Sequence, residues 1–194
     1  WLTTSLRGLI SGSLEVQVLD EGIHSGGYGG IAPSSFRIMR QLFERLEDAG
    51  SGNVLPQGFH TPIPLQRLKE AEATARILGD EVWKKMPWAC GQDGLSVLPT
   101  TTDPKEALLN STWRPSLSVT GAAGLPALSD AGNVLRPRTA FKLSLRLPQP
   151  LFRRLRAVPW RTSGWFDVTV AQAARAFQNM NLLQVISPGH ANVP

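Results

Sequence analysis

The side chains able to do chemistry in this chain are few and scattered. It holds three histidines, His24, His60 and His190, and one cysteine, Cys90. His24 opens the run His24-Ser25-Gly26-Gly27-Tyr28-Gly29-Gly30. A serine next to a histidine invites a Ser-His-acid reading, and with it a stand-alone, esterase-like hydrolase using His24 and Ser25. No nucleophile-elbow pattern accompanies the pair. Three histidines so far apart, with one cysteine, do not compose a metal centre. Asp20-Glu21-Gly22 reads as solvated turn charge. Arg146 lies in an alternating stretch where Phe141, Leu143, Leu145 and Leu147 point one way and Lys142, Ser144 and Arg146 the other. It therefore projects from a rigid strand on its polar face, a good platform for binding. Each residue also has a plainer reading: His24 as a turn histidine bonded to local backbone, Arg146 as a solvated charge, Asn133 after Gly132 as a turn residue.

The elements that must position these residues can be read from pattern. Residues 6–19 alternate as a strand, with Gly8 and Gly12 permitting a bend. The glycine-rich run from His24 is too rich in glycine for a regular element, which leaves His24 on a loop at the rim of a sheet. Ser34 or Ser35 caps a helix over about 34–47, with Phe36, Met39, Leu42, Phe43 and Leu46 on one stripe and Gly50 as its stop. Residues 51–63 form a Pro/Gly linker. The period of Leu65, Leu68, Ala75, Leu78 and Val82 predicts one helix over 64–86. Asp103-Pro104-Lys105-Glu106 has the cap, first-turn proline and returning glutamate of a helix start, and that helix ends near Asn110. Residues 116–120 and 139–147 are strands, the turn over 129–132 leading to Asn133. The fold class is α+β: an antiparallel sheet of three or four strands with helices on one face, burying Val16, Val18, Phe141, Leu143 and Leu145.

Composition narrows the class further. At 42% hydrophobic and 18% charged, the 194 residues are ordinary for a globular domain, and a length near 200 allows one real core. No apolar run approaches the roughly 18 residues needed to span a bilayer, so no membrane partner is expected. The net charge of +5 is uneven: residues 1–150 balance at +1, while residues 151–194 carry five arginines against Asp167 alone. Basicity confined to the tail, without a basic and aromatic stripe in the main body, argues against nucleic acid. One cysteine fits a reducing, cytoplasmic compartment, with Cys90 a small buried hydrophobe. Trp1 at the start, followed at once by strand-like sequence, suggests a piece of something longer.

Three segments in order carry a resemblance: HSGGYGG, then WRPSLSVTG, then NVLRPRTAFKLSLRL. Residues 1–147 resemble the lid, or dimerisation, domain of the two-metal peptidases that include carnosinase-type dipeptidases and desuccinylases, a ferredoxin-like module. In that family the lid is inserted into a separate catalytic domain holding two zinc or manganese ions. The resemblance implies that His24 reaches across a homodimer into the partner's active site, where a donor stabilises developing negative charge. It implies that Asn133 contacts substrate and that Arg146 holds the substrate's terminal carboxylate, which a guanidinium fork matches. The His-x-Asp motif and adjacent glutamates of the family's metal site are missing: the histidines precede Ser25-Gly26, Thr61-Pro62 and Ala191-Asn192. The expectation is therefore a dimerising, substrate-capping module without metal or peptidase activity of its own. A purely structural self-associating domain is the remaining alternative.

No family motif occurs in 151–194, where Leu151 to Val158 is a meagre helix candidate and Trp165 to Val170 a possible strand. A stretch rich in Arg, Pro, Trp and Gly, without Lys or Glu, is what a GC-rich gene yields out of frame. Residues 148–194 are accordingly expected to be an atypical basic tail, a truncated or frameshifted remainder.

Overall fold

A computed structural model describes residues 6–92 and 94–151; the helix and strand expected within 151–170 lie almost wholly outside them. Strand β1 (Gly8–Gln17) leads to a two-residue strand β2 (Ile23–His24), a one-turn helix α1 (Ser25–Tyr28) and helix α2 (Ser35–Phe43). Helices α3 (Leu65–Leu78), α4 (Glu81–Lys84) and α5 (Pro104–Thr112) follow, then strands β3 (Ser116–Ala123), β4 (Val134–Leu135) and β5 (Arg138–Leu147). The main sheet is antiparallel in the order β1-β5-β3, and β2 pairs with β4 in a small second sheet. The expected α+β class holds.

β5 takes the centre because its alternation is the strongest in the chain. Leu143, Leu145 and Leu147 are buried, while Lys142 and Arg146 are exposed on the opposite face. Pairing runs from Gly8↔Leu147 to Gln17↔Arg138, which brings Leu14 and Val16 onto the same apolar face. There α2 lays Ile38, Met39 and Leu42 against Leu14, Val16 and Leu143. Phe36 and Phe43 meet Phe141 with ring centroids 6.3 and 5.7 Å apart. Each such buried side chain contributes about 1.5–3 kcal/mol of transfer free energy. α2 begins where expected: the Ser34 hydroxyl accepts from the Arg37 amide. The Asp103 carboxylate likewise caps α5, accepting from the Lys105 and Glu106 amides, but Glu106 does not turn back; its carboxylate pairs with Arg114 at 2.6 Å.

Four expectations need correction. The glycine-rich run after His24 does form a regular turn of helix, α1, with His24 as its N-cap. The helix expected over 64–86 breaks at Gly79, whose φ of 52° suits glycine and ends α3 with its amide bonded to the Ala75 carbonyl. Residues 51–63 are more than a linker: Val54 and Phe59 are buried against Leu145 and Leu147 in a second apolar cluster. Cys90 is exposed rather than buried.

Candidate functional site

His24 and Asn133 are neighbours because β2 and β4 pair. Ile23 lies opposite Leu135 and His24 opposite Val134, and the Ser25 amide donates to the Asn133 carbonyl at 2.9 Å. The rim carrying them is anchored on the core side. The Ser35 hydroxyl donates to the Arg136 carbonyl at 3.2 Å and shares a buried 2.9 Å hydrogen bond with the Thr139 hydroxyl. The Val18 amide reaches the Pro137 carbonyl at 2.8 Å, prolonging the β1–β5 ladder to the base of the rim. A buried hydroxyl pair with every bond made fixes geometry rather than merely adding stability. Sequence pattern offered Ser35 only as an alternative helix cap and did not single out Thr139.

The ring of His24 is exposed, and its Nδ1 accepts the Gly26 amide at 3.1 Å. The plain turn-histidine reading is thus realised on one ring nitrogen, while Nε2 has no hydrogen-bond partner among the described residues. A triad needs an Nδ1–H donated to an orienting acid while Nε2 takes the serine proton, and an Nδ1 that accepts the Gly26 amide carries no such proton. Asp20 and Glu21 are both exposed, as solvated turn charges should be. Among the described residues no group of three His, Cys, Asp or Glu side chains is placed to hold a metal ion.

Arg146 sits at the other end of β5. It is exposed on the polar face, opposite Leu9 on β1 and Ser116 on β3. Arg7 lies close by: its Nη1 donates to the carbonyls of Asn110 and Arg114 and to the Ser116 hydroxyl, at 2.9–3.0 Å. Burial, and then the charge of Arg146, push the Arg7 guanidinium below its ordinary pKa. Two guanidinium groups therefore share that end of the sheet, Arg7 partly buried and Arg146 exposed. Arg7 ties the end of α5 to β1 across more than a hundred residues, a contact for which the sequence offers no local signal.

Eight residues separate Arg138, beside the rim, from Arg146. At about 3.3 Å per residue, that places Arg146 roughly 26 Å along the strand from Arg138. An extended dipeptide spans only about 7 Å. His24 and Asn133 are neighbours beside the Arg138 end of β5, and Arg146 lies near its other end. A cleft of about 330 Å³ between the 53–63 segment and the end of α5 holds none of the three. Its polar groups are largely paired internally: Arg114 with Glu106 at 2.6 Å and Asn110 at 2.7 Å, His60 Nε2 with the Val54 carbonyl at 2.6 Å.

The family described as the peptidase dimerisation domain matches residues 4–153. A cysteinylglycine-S-conjugate dipeptidase of Corynebacterium striatum is 30% identical over 154 residues, covering 77% of this chain. The chain spans 30% of the length of that curated relative. Among solved structures, human carnosine dipeptidase 1 superposes with a TM-score of 0.63 at 21% identity, over 94% of this chain and 36% of its own. The di-peptidase Dug1p of Saccharomyces cerevisiae gives 0.59 at 20% identity, over 94% of this chain and 37% of its own. These two likenesses show the shared fold.

Proposed function

The chain belongs to the family of peptidase dimerisation domains, and from that premise we propose that it is the self-associating, substrate-capping lid of a dipeptidase-like metallopeptidase. What supports this reading is the placement of the His24–Asn133 rim beside the Arg138 end of β5 and of Arg146 near its other end. Two stations at opposite ends of a long strand suit a shared site, to which two lids related by a two-fold axis can each lend one station. His24 and Asn133 reach into the partner's site, while Arg146 takes the substrate's terminal carboxylate in its own. In that arrangement the outward Nε2 of His24 donates to the oxyanion that forms at the scissile carbonyl, and the Arg146 fork fixes the carboxylate bidentately. Asn133, held beside His24 through the Ser25 amide, orients the substrate on the same side.

The metal pair, zinc or manganese, belongs to a catalytic domain that is this lid's second partner. There it supplies a polarised carbonyl and an activated water. Among the described residues no group of side chains fits a metal pair. Within the described residues no helix is long and apolar enough to cross a membrane, and the proposed setting is the cytoplasm.

The purified chain tests the absence of catalysis. After dialysis it is expected to retain no stoichiometric zinc or manganese and to hydrolyse neither dipeptides nor simple esters. Stoichiometric metal together with peptidase activity that a chelator abolishes would overturn this reading.

A further inference from the structure

We propose that Gly26 is a positioning residue for His24, its backbone amide fixing the imidazole as the Nε2–H tautomer and its missing side chain giving the ring its place. The inference rests on the reading of His24 as a hydrogen-bond donor, and it accounts for how this chain keeps that donor loaded.

A backbone N–H can only donate. The 3.1 Å contact from the Gly26 amide to Nδ1 therefore requires an unprotonated lone pair on that nitrogen. In a neutral ring the one proton must then reside on Nε2, the nitrogen with no partner among the described residues. An unconstrained histidine populates both tautomers, and in one of them the outward nitrogen is an acceptor that would repel an oxyanion.

A second observation is steric and independent of the hydrogen bond. A Cβ built on Gly26 would lie 2.8 Å from Cε1 of His24, closer than a Cβ contact tolerates, and a tight 3.1 Å from Nδ1. A side chain at 26 would require the ring to shift from its place against the amide. The main chain is held as well: His24 pairs with Val134, and the Ser25 amide is bonded to the Asn133 carbonyl. Backbone and ring are thus fixed separately, which is what a preorganised donor needs.

The chemistry of the amides separates the two ring nitrogens. In His24→Asn the Oδ1 atom occupies the place of Nδ1, so the cap persists while the outward donor is lost; asparagine is a favoured N-cap. In His24→Gln the amide reaches the place of Nε2, keeping a donor while losing the short cap.

The test is nitrogen-detected NMR on the 194-residue chain with labelled histidine, at a pH where the imidazoles are neutral. His24 is assigned by the signal missing in His24→Asn. Its Nδ1 is expected to resonate as an unprotonated nitrogen, coupled through the hydrogen bond to the Gly26 amide proton. In Gly26→Ala that coupling should vanish, and the tautomer ratio should fall by roughly three- to tenfold towards the mixture of a free histidine. A proton on Nδ1 in the unsubstituted chain, or a His24 ring spectrum unchanged by Gly26→Ala, would overturn the proposal. Both outcomes are read on the ring without substrate, so they stand apart from whether His24 serves a partner's site.

Discussion

In a complete metallopeptidase carrying this lid, His24→Ala and Arg146→Ala are each expected to be nearly inactive, and to recover activity when mixed and allowed to exchange subunits. Losing a donor to the oxyanion costs about 10²–10³ in kcat. Losing a charged fork on a carboxylate costs about 1.5–3 kcal/mol, or roughly 10- to 150-fold in kcat/KM. The recovery follows from placement. Random exchange makes half of the dimers mixed. In a mixed dimer one site receives the intact His24 of one lid and the intact Arg146 of the other, while the second site receives neither. About a quarter of the wild-type activity should return. If one lid supplied both residues to the same site, every site in the mixture would lack one of them, and mixing would restore nothing. The placement of the two stations at opposite ends of β5 is the reason to expect the first result.

Gly124→Ala is expected to destabilise the fold by roughly 2–4 kcal/mol, read as a lowered urea midpoint at unchanged slope. Gly124 directly follows β3, where Ala123 pairs with Ala140. Its φ of +87° alone costs an L-residue about 1–2 kcal/mol. A Cβ there would also lie 2.3 Å from the Arg138 carbonyl oxygen, backbone that cannot swing aside, so the end of β3 must part from β5. Gly132→Ala is the matched control. Its Cβ would meet nothing within 4 Å, and a change within about 0.5 kcal/mol is expected. Equal stability of the two variants would show that the β3–β5 approach is looser than described.

The parts of this fold that follow local rules were legible in the sequence. Period-2 alternation over 139–147 placed Leu143, Leu145 and Leu147 inside and Arg146 outside. Ser34 and Asp103 announced their helices because a side-chain oxygen at that position satisfies an orphan amide. The misses have equally physical causes. Leu78 and Val82 keep a helical period straight through Gly79, and a glycine costs a helix only about 1 kcal/mol, so periodicity concealed the break. Proline and glycine in 51–63 signalled a linker, but Val54 and Phe59 fill a gap over Leu145 and Leu147 that only the tertiary fold creates. Cys90 was expected inside from residue type alone, yet it lies next to a segment where Leu95, Val97 and Leu98 are themselves exposed. At His24 the two readings of the sequence, local cap and outward donor, fall on different nitrogens of one ring. Arg7 joins elements more than a hundred residues apart, and no pattern near Gly8 could have foretold its bonds to Asn110 and Arg114.

Self-association is the claim on which the shared-site account depends. Among the described residues β3 is paired only on its β5 side, and β1 likewise. On β3, Val119 is half exposed, and beside the sheet Phe36 of α2 is exposed as well. Unpaired strand edges next to a partly uncovered helix are surfaces that a second copy can complete, burying on the order of 1,200–2,000 Å². Sedimentation equilibrium of the 194-residue chain at micromolar concentration is the direct test. The account predicts a species of twice the 21.1 kDa chain mass, retained when residues 151–194 are removed. A chain that stays at 21.1 kDa across the concentration range would contradict it.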